Sequence, residues 1–452
     1  MNPHPRDQVL HAWVEDAKNQ SHATILWSAG YQDSAGWFEG LFAKGLAEVG
    51  HDWSVLGTCD ERLRILSLAY DAKNDVEPLL KSTNTDRFNR PNFELIAPEH
   101  WEILLRDGHK INRESELLDF LQREKGNKEQ LYCTEALVTD WDNEVRLKQL
   151  NSASFPWGSS MKKPATESSI CWVPAVSKAE YQRTIDWIKS NIVAGDFYEL
   201  NYCISFEATA DIDPYWVFWV MTQVSGSPMM CFVKRGDYYL LSSSMERYLL
   251  NADGLVISQP IKGTVRNTAG KNIQHLQDLG EELYRSEKDR AENVMIVDLV
   301  RNDLSRVCVP NTVKVPELCG IYAYPHVLQM VSTVVGQLRE DVSILDVLKA
   351  TFPMGSMTGA PKIAVMKHCE QLESFKRGMY SGSIGWVCGN YFDLNVVIRA
   401  LQYQSSKNAL QYAVGGAITI DSNAAEEYQE CLAKAEAMLR TLQVSGYSIS
   451  NL

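Results

Sequence analysis

The chain of 452 residues is 45% hydrophobic and 22% charged, an ordinary globular composition that excludes a disordered, collagenous or coiled-coil polypeptide. Lys and Arg number 44 against 57 Asp and Glu, and the net charge of -13, with no basic block to offset it, repels a nucleic-acid backbone. Met1 to Gln20 carries no secretion-signal-like stretch, and apolar runs such as Tyr215 to Met221 fall far short of the ~20 residues that span a bilayer. A soluble, cytoplasmic protein with no nucleic-acid and no membrane partner is expected.

The length allows two or three domains. Residues 1–155 mix short alternating segments, Thr24 to Trp27 and Ile65 to Tyr70, with helical pieces such as Arg113 to Gln130. From Asn151 to Ser169 the text turns to Ser, Pro, Lys and Gly, a surface connection. The patterned region 170–445 follows. Tyr181, Ile185, Ile188 and Ile192 recur at helical spacing between Lys178 and Ala194, and Gly195-Asp196 ends that helix. Residues 197–208, 229–233, 238–243 and 255–258 read as strands. Helix returns over Lys288 to Asp303 and again over Asn423 to Leu442, where Asn423 and Glu426 resemble a capping box. Clustered strands with helices between them, without strict βαβ alternation, predict an α+β fold with large, mostly antiparallel sheets. The ten cysteines are scattered with no C-x-x-C pair, and the nine histidines are dispersed, so a His/Cys metal site is not expected.

Four clusters carry possible chemistry. Glu292 lies in Lys288-Asp289-Arg290-Ala291-Glu292, and Glu427 and Glu430 share one face of the last helix. Carboxylates on two helices suit Mg²⁺, while the plainer reading is solvated acidic faces with partners such as Lys434. Gly355 to Lys362 is a glycine-rich turn entering a helix, an anion cradle or simply a cap. Val414-Gly415-Gly416-Ala417 is a strand that a ligand approaches, or a bulge. Gln259-Pro260-Ile261-Lys262-Gly263-Thr264 places a lysine beside strand residues, either a desolvated amine of lowered pKa or an ordinary surface lysine.

In this order the clusters resemble the chorismate-utilising enzyme family. The resemblance rests on Gly195 to Asn201, Ser243 to Arg247, Pro260 to Thr264, Asp289 to Asp303, Phe352 to Lys362, Ser381 to Gly385, Ile398-Arg399 and Gly415 to Lys434. Residues 1–155 match the family's N-terminal domain more loosely, at Tyr70-Asp71 and Asp86-Arg87-Phe88. It implies a sandwich of large, mostly antiparallel sheets with helices outside, and a chorismate-binding catalytic domain at 170–445. Lysine within Pro-Ile-Lys-Gly-Thr is typical of the aminodeoxychorismate synthase branch, where anthranilate synthases carry alanine. The implied reaction is addition of ammonia at C4 of chorismate, giving 4-amino-4-deoxychorismate for p-aminobenzoate and folate. The alternatives are amination at C2 and a non-catalytic chorismate-binding paralogue.

Carried over residue by residue, the resemblance implies Lys262 as covalent nucleophile at C2 and Glu246 as acid–base group. It implies Glu292, Glu427 and Glu430 as holders of Mg²⁺. Arg399 and Tyr412 would hold the enolpyruvyl carboxylate, and Thr264, Ser356, Thr358, Gly359, Gly415, Gly416 and Ala417 would line the substrate. Three departures stand out. Ala417 replaces a glycine, Gln329 replaces a frequent histidine, and Glu199 stands where isochorismate-forming relatives carry a water-activating lysine. No cysteine sits in a Gly-x-Cys-x-Gly glutaminase setting, so the ammonia donor is expected to be a separate glutamine amidotransferase subunit. Trp27-Ser28 falls where some relatives bind tryptophan, without neighbours that decide the matter here.

Overall fold

The computed structural model describes residues 5–28, 38–58, 60–77, 79–124, 169–268, 272–324 and 326–450. The connection preceding Ser169 and the end of the helical stretch beyond Glu124 lie outside these residues.

Two large antiparallel sheets, of eleven and ten strands, dominate the molecule. Parity along the strands of the larger sheet decides what each side chain meets. In Glu199–Thr209, the even residues Leu200, Tyr202, Ile204 and Phe206 join Met230, Phe232, Leu401, Tyr403 and Tyr412 in a core shared with helices. Those helices are Pro5–Lys18, Lys178–Ala194, Pro214–Val224 and Ala424–Val444. The odd face turns to the second sheet. Cys203 and Ala413 pack with Tyr248, Leu249, Val256 and Leu394, while Leu41, Ala43 and Ile103 pack with Ile65, Ile96, Leu250 and Ile257. The result is an α+β sandwich with one side of the larger sheet covered by helices.

Strands before residue 125 extend both sheets. His22–Trp27 pairs with Met229–Arg235, and Arg64–Leu68 pairs with Ser383–Cys388, both antiparallel. Residues near the start of the chain therefore share cores with residues near its end.

The helix Lys178–Ala194 spans the residues its apolar spacing predicts, with Tyr181, Ile185 and Ile188 buried. Ser177 opens it through a reciprocal capping box with Glu180, and Gly195 closes it at φ 88°. Such a cap contributes about 1 kcal/mol. Asn423 caps Ala424–Val444 by accepting from the amides of Ala425 and Glu426; the cap is Asn423 alone rather than the expected box. Pro214–Val224 escapes a periodicity search because it is buried almost all round, Trp216 to Thr222 included. No helix among the described residues is long and apolar enough to cross a membrane.

Candidate active site

The chain changes sheets at two points that matter. Between Tyr238–Ser244 of the larger sheet and Arg247–Ala252 of the smaller lie Met245 and Glu246; between Tyr391–Asn395 and Ala400–Gln404 the chain crosses back through Arg399, at φ 48°. Backbone bonds staple the two crossings together, Val396 N to Glu246 O at 3.0 Å and Ser243 N to Arg399 O at 3.1 Å. Both side chains line a cavity of about 640 Å³, large enough for a small organic substrate.

Lys262 enters this cavity from the strand Ile261–Arg266 of the smaller sheet. The pairing register with Val327–Gln337 shifts between Ile261 and Thr264, and Gly263 at φ 87° makes the irregularity possible. A Cβ at residue 263 would also come within 3.0 Å of Asp289. From the opposite sheet comes Glu199, fully buried, whose Oε1 accepts a hydrogen bond from Lys262 Nζ at 3.0 Å. This ion pair corrects the expectation of an amine with lowered pKa. Burial pulls Lys262 down, but the charges of Glu199 and Glu292, the Glu199 hydrogen bond and Glu246 outweigh it and raise the amine above its ordinary value. At rest Lys262 is an ammonium ion.

Glu246 carries the opposite perturbation. Burial pushes its carboxyl up to about 7, against the opposing pull of the Ser356 hydroxyl, the Lys262 charge and the Ile261 amide. Glu292, on Glu287–Ser305, also reaches about 7, chiefly by burial, with Glu199 and Glu427 adding like-charge repulsion and Lys262 opposing it. Glu427 and Glu430 face the same cavity from Ala424–Val444. Two ammonium groups sit among them. Lys288 Nζ is 3.2 Å from Glu427 Oε1 and 4.0 Å from Glu292 Oε1, and Lys434 Nζ is 2.8 Å from Glu430 Oε1 and 3.0 Å from the Gly415 carbonyl. The i,i+4 partnership of Glu430 with Lys434 thus exists as the plainer reading has it, with Glu430 exposed at the mouth of the cavity wall.

Three arginines also line the cavity, Arg266, Arg399 and Arg440, of which Arg266 is ion-paired with Glu436. His326 lines it too, and burial together with these arginines holds His326 below its ordinary value despite a 2.6 Å hydrogen bond to the Val224 carbonyl. Burial lowers Arg399 to about 10, with only Tyr324 opposing. Its guanidinium has no carboxylate partner among the described residues, so it is ready for an incoming anion.

Thr264, Ser356, Gly415 and Ala417 line the cavity as expected. Ala417 keeps an ordinary strand conformation, since positive φ is absent there. Four expected lining residues do not reach it. Tyr412 has the wrong parity: it pairs with Phe206, stacks on that ring at 4.8 Å and meets Trp172 edge-on at 4.7 Å on the helix-covered face, while Ala413 next to it lines the cavity. Thr358 is buried with its hydroxyl donating to the Met354 and Gly355 carbonyls. Gly359, at φ 143°, pairs with Leu200, and a Cβ there would lie 2.1 Å from the Glu199 carbonyl. Gly416 makes room for Glu427, whose Oε2 would be 3.2 Å from an added Cβ. The glycine-rich turn is therefore largely a strand clamp rather than an anion cradle: Tyr198 N bonds Ala360 O and Asn201 N bonds Thr358 O, each at 2.8 Å.

Sequence reasoning missed the support beneath this clamp. Arg377, 1% exposed, donates to the carbonyls of Met357 at 2.7 Å and Asn201 at 2.9 Å and to both carboxylate oxygens of Glu373. The Tyr70 ring lies 4.2 Å from its guanidinium. Breaking so buried an ion pair typically costs about 3–5 kcal/mol. Asn201, Lys288 and Lys434 also line the site; helical spacing to Glu292 and to Glu430 was the local signal for the two lysines, while Glu199, noted in the sequence only as a departure from isochorismate-forming relatives, reaches the site through Lys262.

The sequence pattern of chorismate binding enzymes matches residues 34–440. Aminodeoxychorismate synthase component 1 of Bacillus subtilis (strain 168) is 35% identical over 284 residues, 63% of this chain and 59% of that protein. Anthranilate synthase component 1 of Saccharolobus solfataricus is 36% identical over 272 residues, 60% of this chain and 63% of that protein. The match thus spans about three-fifths of the length of each. Among solved structures, anthranilate synthase component I from Streptococcus pneumoniae superimposes with a TM-score of 0.67 at 25% identity, covering 83% of this chain and 80% of that one. With a pattern match running through nearly all of the sandwich, the chain belongs to the chorismate binding enzyme family.

Proposed function

We propose that this chain aminates chorismate at C4, with Mg²⁺ bound and with ammonia supplied by a separate glutamine amidotransferase subunit, giving 4-amino-4-deoxychorismate for p-aminobenzoate and folate synthesis in the cytoplasm. Lys262 carries the reading. Identity to the aminodeoxychorismate and anthranilate relatives is nearly equal, 35% and 36%, and the lysine at this position is what favours C4 over C2.

The donor set fits a divalent cation. Three carboxylates on two helices line the cavity, burial and mutual repulsion raise Glu292, and Lys288 stands between Glu292 and Glu427 as a counter-charge. Among the described residues no three or more His, Cys, Asp or Glu side chains come together closely enough to hold a metal ion by themselves, so at most two carboxylates would bind it at once. Mg²⁺ commonly takes only one or two carboxylates and fills the rest with water and substrate oxygens. Glu292 and Glu430, with Glu427 beside them, would hold it, and it would anchor and partly neutralise the ring carboxylate.

Arg399 orients the second carboxylate. The Lys262 amine attacks C2 while the C4–O bond breaks, and Glu246 protonates the departing hydroxyl. Ammonia then bonds to C4 and releases the lysine from C2. Gln329 lines the cavity near Thr264, at 3.5 Å, and has no exchangeable acid proton, so departure of the hydroxyl rests on Glu246.

Two expected outcomes follow from this assignment. A general acid at about 7 is protonated below that pH and ionised above it. At a fixed concentration of free ammonia, turnover should therefore decline as pH rises through neutrality. In Glu246→Gln the decline should vanish and the rate should fall by ~10²–10⁴-fold; a Gln variant with wild-type rate and profile contradicts the role. The purified single chain should consume chorismate with Mg²⁺ and ammonium salts but not with glutamine. Glutamine-dependent turnover without a second subunit would contradict the two-component reading.

A further inference from the structure

We propose that Glu199 is the base that takes the proton from Lys262 and returns it when the lysine is released. This rests on the reading of Lys262 as the covalent nucleophile. Three observations carry it. First, the reacting atom itself is in contact: Lys262 Nζ and Glu199 Oε1 are 3.0 Å apart, across the gap between the two sheets. Second, Glu199 is 0% exposed and its other oxygen, Oε2, has no hydrogen-bond partner, so the carboxylate retains unused capacity to accept a proton. Third, the backbone carrying it is locked by pairing of Glu199 and Leu200 with Ala360 and Gly359, where the Gly359 contact leaves no space for a side chain.

The other acidic groups facing Lys262 are committed elsewhere. Glu246 has to hold its own proton for the leaving hydroxyl, and Glu292 and Glu430 belong to the proposed cation site. Glu199 is the remaining acceptor.

The proton balance closes. An Nζ proton passes to Glu199, the freed lone pair forms the bond to C2, and the C4 hydroxyl leaves as water with the Glu246 proton. Ammonia then forms the C4–N bond as the C2–Nζ bond breaks. Glu199 returns its proton to the lysine, and Glu246 takes one from the new ammonium. The sum is chorismate plus ammonia giving the 4-amino product and water.

The test is the rate at which an adduct appears on Lys262, followed by intact-protein and peptide mass spectrometry with chorismate and Mg²⁺ but no ammonia, over pH 6 to 9. Wild-type protein should form the adduct. Glu199→Gln should form it at least ~10²-fold more slowly at neutral pH, recovering toward high pH where bulk solvent takes the proton. Glu199→Asp, which keeps a carboxylate, should lie between the two. Removal of the Glu199 charge also makes the lysine easier to deprotonate, so a mere counter-ion role predicts the opposite sign. Adduct formation in Glu199→Gln as fast as wild type, or faster, would overturn the proposal while leaving the nucleophile intact. Absence of an adduct in the wild type would overturn the nucleophile reading and this proposal with it, a result visible without any variant.

Discussion

Lys262→Ala is expected to lose amination at C4 by ~10³-fold or more, because the amine that activates C4 from C2 is gone and no neighbour replaces it. The groups around Lys262 are Glu199, Glu246, Glu292 and Glu430, all carboxylates of lower intrinsic nucleophilicity than an amine. With the side chain removed, C2 is open to ammonia directly, and part of the residual product should be anthranilate. Lys262→Arg should not restore the reaction, since a guanidinium retains its proton. The readout is chromatographic separation of 4-amino and 2-amino products formed from ammonium. An alanine variant of full activity making only the 4-amino product would remove Lys262 from the chemistry. The fold is expected to survive, because Lys262 faces the cavity and belongs to none of the apolar cores.

Glu292→Gln is expected to cost at least ~10²-fold in turnover, and Glu430→Gln similarly, while thermal unfolding stays cooperative. Glu292 is half-buried and held up near 7 by desolvation and adjacent carboxylates, a state that a divalent cation would relieve and that an amide cannot reproduce. Titration of activity with Mg²⁺ checks this. Unchanged Mg²⁺ dependence in both variants contradicts the cation site.

Local signals account for much that was legible. The four isoleucine and tyrosine positions of Lys178–Ala194, the Gly195 cap and the shared face of Glu427 and Glu430 are consequences of helical spacing, and each is realised. Pairings between sheets are not local. Lys262 and Glu199 are 63 residues apart on different sheets, so the sequence exposes a lysine near a glycine but not the carboxylate that keeps it charged. Strand parity is equally silent from one strand alone: Tyr412 and Ala413 lie on opposite faces because of how Ala409–Ile418 registers on Glu199–Thr209, and only Ala413 reaches the cavity. Gly359 reads as a ligand-binding glycine, yet what needs its missing side chain is the Glu199 carbonyl. The N-terminal strands, whose short alternating pattern names no partner, are placed by pairing with strands more than 200 residues further on.

The position at which nitrogen enters chorismate tests the central assignment most directly. The purified chain would be supplied with chorismate, Mg²⁺ and ¹⁵N-labelled ammonium at a pH where free ammonia is present, and the product examined by NMR for coupling between ¹⁵N and the ring. Lys262 facing the cavity predicts ¹⁵N on C4, in a product that retains its enolpyruvyl group. Label found on C2, with the enolpyruvyl group lost as pyruvate, would contradict it.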